Sequence, residues 1–537
     1  MLTGAGALAL IGSSITAGAA WQSTASATVR HTGPTGHVLL VGTFKGHKGQ
    51  YTSIQAAVNA AKPGDWILVA PGDYHETSDL TSPPSSYSDS ADGAVMITTS
   101  GLHLRGMSRS GVVVDGTKPG SPQCSSSAAN QQFGHVQSGQ AVGRNGITVY
   151  KANNVSIDNL TVCNFLSGSK GGGNGIWWNG GAGGTTTQLA GYEGSYLTAT
   201  SSFFNGEATA ATYGIFASHA AGPGSWNQLY ANNQNDSGMY VGACLQVCNV
   251  TIQNAWMENN ALGYSGTNSG GAIVITHSLF DNNYDGLDTN TAITGDPPAP
   301  QNGACPNNGI SKITHTHSCW VVEYSKFVNN NNNFAPGSGS AQLGPIGTGM
   351  TLSAGHNDTV MHNTFSGNGA WGLFVLPYAD SGGGSDGATC ANTGGHVLGG
   401  LGCILDPNGD AILSNTFVHN GWFKNPTNSD IAELTYGTHV ANCFSKNVVP
   451  DGTYAPNLQK AEATCTGKNV LGNVALVTNL FNQVVCDAGL GTCPAGSHYP
   501  GRGTVKLSAV PTKKLPTMPN PCAGVPSNAW CVGGKPI

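Results

Sequence analysis

Charged side chains are scarce in this sequence. They make up 9% of its 537 residues, against about 25% in typical globular proteins. The net charge is −6, and none of the five arginines lies between Arg144 and Arg502. A chain without a basic patch lacks the electrostatic footprint of a nucleic-acid-binding protein. We therefore expect no nucleic-acid partner.

Other signals are also missing. No Cys-x-x-Cys pair suggests a zinc site, and no glycine-rich loop between a strand and a helix suggests a phosphate site. The apolar run from Met1 to Ile15 is short and rich in small residues, so it predicts a signal peptide rather than a membrane span. Cleavage after Ala17-Gly18-Ala19 or Ala25-Ser26-Ala27 would end a signal peptide within residues 1–27. The alternative is a disordered N-terminal tail.

The fourteen cysteines are even in number, which favours disulfides and an extracellular protein. Sequence alone does not determine connectivity, and pairing of neighbours along the chain is the simplest expectation. The expected pairs are Cys124 with Cys163, Cys244 with Cys248, Cys305 with Cys319, Cys390 with Cys403, Cys443 with Cys465, Cys486 with Cys493, and Cys522 with Cys531.

A repeat runs through the middle of the chain. The pattern that starts at Val250 and Ile252 returns 23 residues later at Ile273 and Ile275, and each copy supplies three short alternating strands. This period is typical of a solenoid coil. Leucine-rich repeats have similar lengths, but their leucine consensus is absent.

The segment before the repeat has a helix-turn-strand pattern. Ser53 is a suitable N-cap for a short helix, Pro63-Gly64-Asp65 makes a turn, and an apolar strand starts at Trp66. This pattern resembles the N-terminal cap of the pectin-lyase-like superfamily. The resemblance covers roughly residues 50–440 and implies an all-β fold, a right-handed parallel β-helix.

These patterns divide the chain into four parts. We expect a signal peptide over 1–27 and an extension over 28–50. The β-helix follows over 51–437, with its cap helix over 52–62. A cysteine- and proline-rich cap occupies 438–537. We also expect a monomer.

Asparagine recurs at the expected corners of the coils. Its side chain tolerates the left-handed backbone and can hydrogen-bond from rung to rung. Asn159 and Asn254 are expected at one corner, and Asn259, Asn282 and Asn329 at another. These asparagines are interpreted as structural.

The third strand of each coil begins with glycine, followed by a residue expected to point inward and one expected to point outward. We call the outward residues the outward strip: Trp177, Phe216, Tyr240, Ser265, Asp288, Thr351 and Phe374. Exposed aromatic rings in a line suit sugar stacking, so Trp177, Phe216, Tyr240 and Phe374 are the candidate substrate-binding residues. The alternative is that covering loops bury them.

Asp285-Gly286-Leu287-Asp288 is the main candidate for chemistry. It resembles part of the calcium motif of family nine pectate lyases, with Tyr284 in place of the first aspartate. The resemblance implies Asp285 and Asp288 as calcium ligands or catalytic groups. It breaks at the catalytic base, because no lysine or arginine follows Asp288 on the strip. The two aspartates are also of a type found in solvated turns.

Two histidines offer a replacement base. His315 and His317 share one face of an extended segment and return toward Asp288. They suit a general base or a metal site shared with Asp288, or they are simply exposed. Glu433 is a further candidate that we expect to face the strip.

Three hypotheses follow. The first is a polysaccharide-active enzyme, namely a lyase, hydrolase or epimerase that acts on acidic glycans around Asp288. The second is a non-catalytic glycan-binding protein, and the third is a structural cell-surface protein. Fold membership alone does not choose among them.

Overall fold

A computed structural model of the chain describes residues 36–78, 91–181, 189–242, 244, 248–267, 269–289, 320–337, 341, 343–355, 357–380, 395–398, 402–435, 442–464 and 474–537. Its strands pair in parallel from one coil to the next, and each coil contributes to three faces. Connections that return to the same parallel sheet are right-handed. The prediction of a right-handed parallel β-helix is confirmed.

The first two faces form one continuous sheet of 20 strands. The first face consists of Val38–Val41, Trp66–Val69, His103–Gly106, Val155–Cys163, Leu189–Thr200, Ala220–Asn227, Val250–Gln253, Ile273–Thr276, Trp320–Glu323, Thr359–Met361, Ala411–Leu413 and Cys443–Ser445. Strands Val155–Cys163 and Leu189–Thr200 continue onto the second face, which also contains Gly72–Tyr74, Val112–Asp115, Tyr230–Asn232, Trp256–Glu258, Leu279–Asp281, Lys326–Val328, Thr364–Ser366 and Thr416–Val418.

The third face is a sheet of 11 strands. It consists of Asp92–Ile97, Arg144–Tyr150, Ile176–Asn179, Tyr213–Ser218, Ser237–Gly242, Leu262–Ser265, Asp285–Asp288, Thr348–Ser353, Trp371–Leu376, Ser429–Glu433 and Thr453–Tyr454. The coils thus continue to Tyr454, beyond the expected boundary at 437.

Several small antiparallel sheets lie outside the three faces. They are Thr43–Phe44 with His47–Lys48, Val136–Gln137 with Gln140–Ala141, Ser167–Gly168 with Gly171–Gly172, Cys531–Val532 with Lys535–Pro536, and the three strands Tyr378–Asp380, Gly402–Leu405 and Gly395–Leu398. Two short 3-10 helices span Ala128–Asn130 and Glu207–Thr209.

The repeat identified in the sequence is visible in the strand register. Val250 pairs with Ile273, Trp256 with Leu279, and Leu262 with Asp285, each 23 residues apart. Later pairs are farther apart in sequence because insertions lie between coils. The apolar bore contains a row of stacked rings, Phe280, Phe327, Phe365 and Phe417, with centroids 4.7–4.9 Å apart.

The corners of the coils adopt the left-handed backbone that the asparagines predicted. Positive φ angles occur at Asn159 and Asn254 at the first corner, and at Asn259, Asn282 and Asn329 at the second. A non-glycine residue pays a steric cost there, which asparagine reduces.

The residue that follows each left-handed corner residue makes hydrogen bonds to the neighbouring coils, and these bonds were not predicted from the sequence. At the second corner, the backbone amide of one coil donates to the buried side-chain oxygen of the next. This buried amide ladder consists of Asn260, Asn283, Asn330, Asn368 and Asn420. Asn363, Asn415 and Asn447 continue an equivalent ladder at the first corner.

The third corner uses carboxyl groups in the same geometry. The Asp358 amide donates to Asp410 Oδ1 at 2.8 Å, and the Asp410 amide to Asn442 Oδ1 at 3.0 Å. Burial raises the pKa of Asp410 to about 8. A neutral carboxyl at this position resembles the amide that the other two ladders use.

Glycine opens most third-face strands because neighbouring coils approach closely there. A Cβ on Gly286 would lie 2.1 Å from the carbonyl oxygen of Gly349, and one on Gly263 would lie 2.4 Å from that of Gly286. Any larger residue would push the coils apart.

The entry helix is present as Ile54–Ala60, within the predicted 52–62. Ser53 caps it, and the buried Glu76 carboxylate accepts from the amides of Ile54 and Gln55 at 2.6 and 3.1 Å. A carboxylate at a helix N-terminus is favourable. The helix closes the apolar bore at its first coils.

The C-terminal region is more ordered than the expected loop-rich cap. It contains the helices Leu458–Ala461 and Val474–Asp487. Residues 498–537, here called the C-terminal strap, then run back along the coils. Their contacts lead from Asn425 near the last coils, past Asn333 and Asn259, to Arg105 and His47 near the first.

Four of the expected disulfides are confirmed: Cys124–Cys163, Cys244–Cys248, Cys486–Cys493 and Cys522–Cys531. Cys403 and Cys443 are also disulfide-bonded. Their expected partners, and the pair Cys305 with Cys319, lie outside the described residues. Among the described helices, none has the length and apolar character needed to cross a bilayer.

We expect Asn368→Ala to destabilise the fold by about 3 kcal/mol, because it leaves several buried polar groups without partners. Asn368 donates to Phe327 O and Asn420 Oδ1, and it accepts from Asn330. Urea unfolding measures the loss. Asn329→Gly, at an exposed corner with φ 51°, is the control and should cost little. Equal losses for the two variants would contradict the ladder's importance.

Candidate functional site

The outward strip has the register that the sequence predicted. Trp177 pairs with Phe216, then Tyr240, Ser265, Asp288, Thr351 and Phe374 follow in line. The preceding residues, such as Ile176, Met239 and Leu287, lie in the bore. The strip therefore runs along the outside of the third face.

The expectation of exposed aromatic faces is wrong for most of the strip. Trp177, Phe216 and Phe374 are 2%, 7% and 0% exposed, whereas Tyr240 is partly exposed. The rings of Trp177, Phe216 and Tyr240 stack on one another, with successive centroids 5.4 and 4.7 Å apart. Their faces therefore contact each other rather than solvent. Phe374 packs beneath the helix Val474–Asp487, which the sequence analysis did not foresee.

Asp288 keeps partial access to solvent. Its Oδ1 accepts from the Thr351 hydroxyl on the next coil at 2.7 Å. This hydrogen bond fixes the carboxylate on the outer face of the sheet. Asp288 is thus placed where the sequence predicted, and its catalytic role stays a prediction.

Asp285 differs sharply from Asp288 because it is fully buried. Burial raises its pKa well above the usual range, and the nearby carboxyls of Asp288 and Asp487 raise it further, while the amides of Leu287 and Gly286 offset part of the shift. Neither carboxyl oxygen makes a hydrogen bond of normal geometry. These surroundings favour a neutral carboxyl group at neutral pH.

The second buried acid of this region comes from the C-terminal helix. Asp487 accepts from the Ile346 amide at 3.0 Å, and burial raises its pKa well above the usual range. Tyr284 and Arg502 lie beside it, with the guanidinium 3.9 Å from the Tyr284 ring centroid. The helix and the strap thus seal Asp285 from solvent.

The two aspartates do not fit the calcium site that the resemblance implied. Calcium takes six to eight oxygen ligands, with carboxylates ionised. Among the described residues, no third acid or histidine brings a ligand atom into a cluster with Asp285 and Asp288. Asp285 is fully buried and its pKa is raised, which disfavours the ionised form that calcium requires, so the residues present do not fit this ion.

Of the remaining predicted residues, the structure describes one. His315 and His317 lie outside the described residues. Glu433 pairs in register with Val375, whose side chain is in the bore, and it accepts from Asn442 Nδ2 at 2.8 Å. The expectation that Glu433 faces the strip is therefore wrong, because alternation in the strand turns it inward.

Sequence reasoning missed an acid beside the accessible rings. Asp236 immediately precedes the strand Ser237–Gly242 and is partly exposed. Its side chain is hydrogen-bonded to Tyr213. Burial raises its pKa to about 7 despite that hydrogen bond. Tyr213 is partly exposed and lies 5.1 Å from Tyr240 between ring centroids. No motif marked Asp236, because coil neighbours create its environment.

Comparisons with known proteins give a limited result. No protein-family model and no curated protein matches the sequence. Among solved structures, the Azotobacter vinelandii mannuronan C-5 epimerase AlgE4 A-module is 11% identical, with a TM-score of 0.40, over 74% of this chain and 90% of that chain.

Two further structures are similar. Alginate lyase from Paenibacillus sp. str. FPU-7 is 11% identical, with a TM-score of 0.33, over 78% of this chain and 96% of that chain. The tailspike protein of E. coli bacteriophage HK620, in complex with pentasaccharide, is 10% identical, with a TM-score of 0.36, over 76% of this chain and 60% of that chain. The expected fold-level resemblance is confirmed, and it rests on the chain's own strand ladders.

We expect the Asp285→Asn variant to gain stability relative to the parent chain as the pH rises. The folded pKa of Asp285 is raised, so its contribution is present at acidic pH and is lost as the pH rises from about 4 through the folded value. An amide has no such titration. Relative to the parent chain, the variant should gain about 1–3 kcal/mol between pH 5 and pH 9, measured by urea unfolding. Parallel pH profiles for the two proteins would contradict a neutral Asp285.

Proposed function

We propose that this protein acts on a polysaccharide along the accessible part of the outward strip, with Asp236 as the proton-transfer group. The observation that carries the proposal is the position of Asp236, a partly exposed acid beside Tyr213 and Tyr240 with a pKa near 7. Groups that titrate near the working pH are the most effective general acids and bases. Perturbed groups of this kind concentrate at functional sites.

The reaction class follows from the spacing of the carboxyl groups. Hydrolases use two carboxyls about 5–10 Å apart across one glycosidic bond. Asp236 and Asp288 are separated by two coils and by four residues along the strand, roughly 16 Å at ordinary strand spacings. Two carboxyls this far apart do not flank one glycosidic bond, which favours proton abstraction by one of them, as in a lyase or an epimerase on uronates.

The Tyr213 hydroxyl complements this role. When Asp236 is ionised, the hydroxyl stabilises the carboxylate by donating to it, and it is also a proton carrier within reach of a bound sugar. Tyr240, stacked beneath it on Phe216, offers the apolar contact for the sugar ring. Asp288 lies farther along the same face, at a neighbouring sugar position.

An extracellular location belongs to the same proposal. Structural disulfides form in oxidising compartments, and the described cysteines are all disulfide-bonded. Polysaccharides of cell surfaces and matrices are found in those compartments.

A second candidate is glycan binding without catalysis. The described third-face strands contain Arg144 as their one basic residue, and it is buried. A lyase or epimerase must stabilise the charge that develops on the uronate carboxylate. In the described part of the chain, no cation contributes to the electrostatics of Asp236, and this observation favours binding through Tyr213 and Tyr240 without catalysis.

One incubation separates these candidates. The purified protein is mixed with a panel of uronic-acid polysaccharides in D2O. Unsaturated, ultraviolet-absorbing products indicate a lyase, and deuterium incorporation without chain cleavage indicates an epimerase. New reducing ends without unsaturation would contradict proton abstraction. Retention on a polysaccharide column without any product would favour the second candidate.

Asp236→Asn should reduce kcat/KM by about 100-fold or more, because it removes the proton-transfer group. The control is Asp281→Asn, a partly buried acid on the second face whose pKa is raised to about 6. It should leave kcat/KM within about twofold. Similar losses in both variants, or none in either, would contradict the assignment.

The pH profile gives a separate test. If Asp236 is the base, it must be ionised, so kcat/KM should rise with pH through about 7 and level off above it. If it is the acid, the profile falls through the same value. A profile flat across this range would exclude Asp236 from proton transfer.

A further inference from the structure

A second potential binding site lies at the first corner of the coils and on the adjoining second face, away from the strip. A cavity of about 230 Å³ opens between the second face and the C-terminal strap. The polar groups of its lining belong to Gln228, Asn254, Trp256, His277 and Arg109. Leu515 and Pro516 of the strap form the opposing wall.

Arg109 is the unusual member of this lining. It is 2% exposed, and it donates only to neutral acceptors: Thr198 Oγ1 at 2.9 Å, Pro516 O at 2.9 Å and Leu197 O at 2.5 Å. Among the described residues, no carboxylate forms an ion pair with it. A guanidinium has five N–H groups, so two remain for a ligand.

A comparison with Arg105 shows what is missing. Arg105, four residues earlier in the chain, pairs with Asp158 at 2.9 Å and also donates to the strap. Arg109 has the same strap contact without the acid. Burying a charge is costly unless an opposite charge accompanies it. The nearby Glu258 is engaged by the Tyr230 hydroxyl at 2.5 Å rather than by Arg109.

The rest of the cavity supplies matching donors. Trp256 Nε1 is buried and has no acceptor. The Asn254 amide group is exposed at the rim and donates to Asn227 Oδ1 at 2.9 Å. Lys514 of the strap lies close enough to Glu258 to lower its pKa. The lining therefore includes a buried cation, an indole whose buried N–H has no acceptor, and apolar side chains.

We propose that this cavity binds a monosaccharide-sized carboxylate, in which the carboxylate pairs with Arg109 and accepts from Trp256 Nε1. A uronate has this chemistry. Its ring would pack against Trp256 and Leu515, and its hydroxyls would reach the side-chain amides of Gln228 and Asn254. The site is independent of the strip, because it lies on a different face and shares no residue with it. It would hold an acidic glycan while another segment occupies the strip.

The test is isothermal titration calorimetry of the full chain with three probes. Sodium galacturonate should bind saturably, and galactose, its neutral counterpart, at least about tenfold more weakly. Inorganic phosphate should also bind more weakly than galacturonate. Equal binding of galactose, tighter binding of phosphate, or no saturable binding of galacturonate would each overturn the proposal.

Variants locate the binding. Trp256→Phe keeps the ring but removes the donor, and should weaken galacturonate binding about fivefold without changing the melting temperature. Arg109→Lys should weaken it further by removing the paired N–H geometry. Arg105→Lys, already neutralised by Asp158, should bind as the parent does. Unchanged binding in Trp256→Phe and Arg109→Lys would overturn the assignment to this cavity.

Asp236→Asn separates this proposal from the function assigned to the strip. It should abolish activity on polysaccharides but leave galacturonate binding unchanged. Loss of galacturonate binding in Asp236→Asn would place the bound sugar on the strip and refute the second site.

Discussion

Each coil of this protein must turn three corners, and at each corner a polar group has to be buried. The turn needs a left-handed residue, and the following backbone amide then points into the stack, away from water. The buried ladders meet that demand: Asn368 uses both its oxygen and its amide group to join the coils on either side. Coil spacing, strand register and the direction of every outward side chain follow from this interaction. The same constraint explains a chain with many asparagines and few charges.

The third corner shows how strict that demand is. Asp358 and Asp410 occupy ladder positions where the other corners have amides. The protonated carboxyl is the form that most resembles an amide, and burial favours it by raising the pKa of Asp410. Burial likewise raises the pKa of Asp285 and of Asp487, the last residue of the C-terminal helix, well above the usual range. Raised pKa values are therefore common in this fold, and a raised pKa alone does not mark a functional group.

The C-terminal region changes how the solenoid is used. Its helix covers Trp371 and Phe374 at one end of the strip, and its strap closes the second face and forms the wall of the Arg109 cavity. A bare solenoid would expose the whole strip to a polymer. Here the accessible part is limited to the neighbourhood of Tyr213, Asp236, Tyr240 and Asp288. Disulfide Cys522–Cys531 packs the end of the strap against Leu40 and Trp66 near the first coils.

Local pattern was enough to determine the β-helix, the cap helix, the corner asparagines and the alternation that places Asp288 outside and Leu287 inside. These features depend on neighbours in sequence or on a fixed repeat, so periodicity reveals them. Burial of Trp177 and Phe374, the raised pKa of Asp285, the surroundings of Asp236 and the lack of a carboxylate beside Arg109 among the described residues were decided only in the tertiary structure. Each depends on groups far away in the chain, such as Asp487 or Pro516, and solvent exclusion by such groups has no signature in the residues it affects.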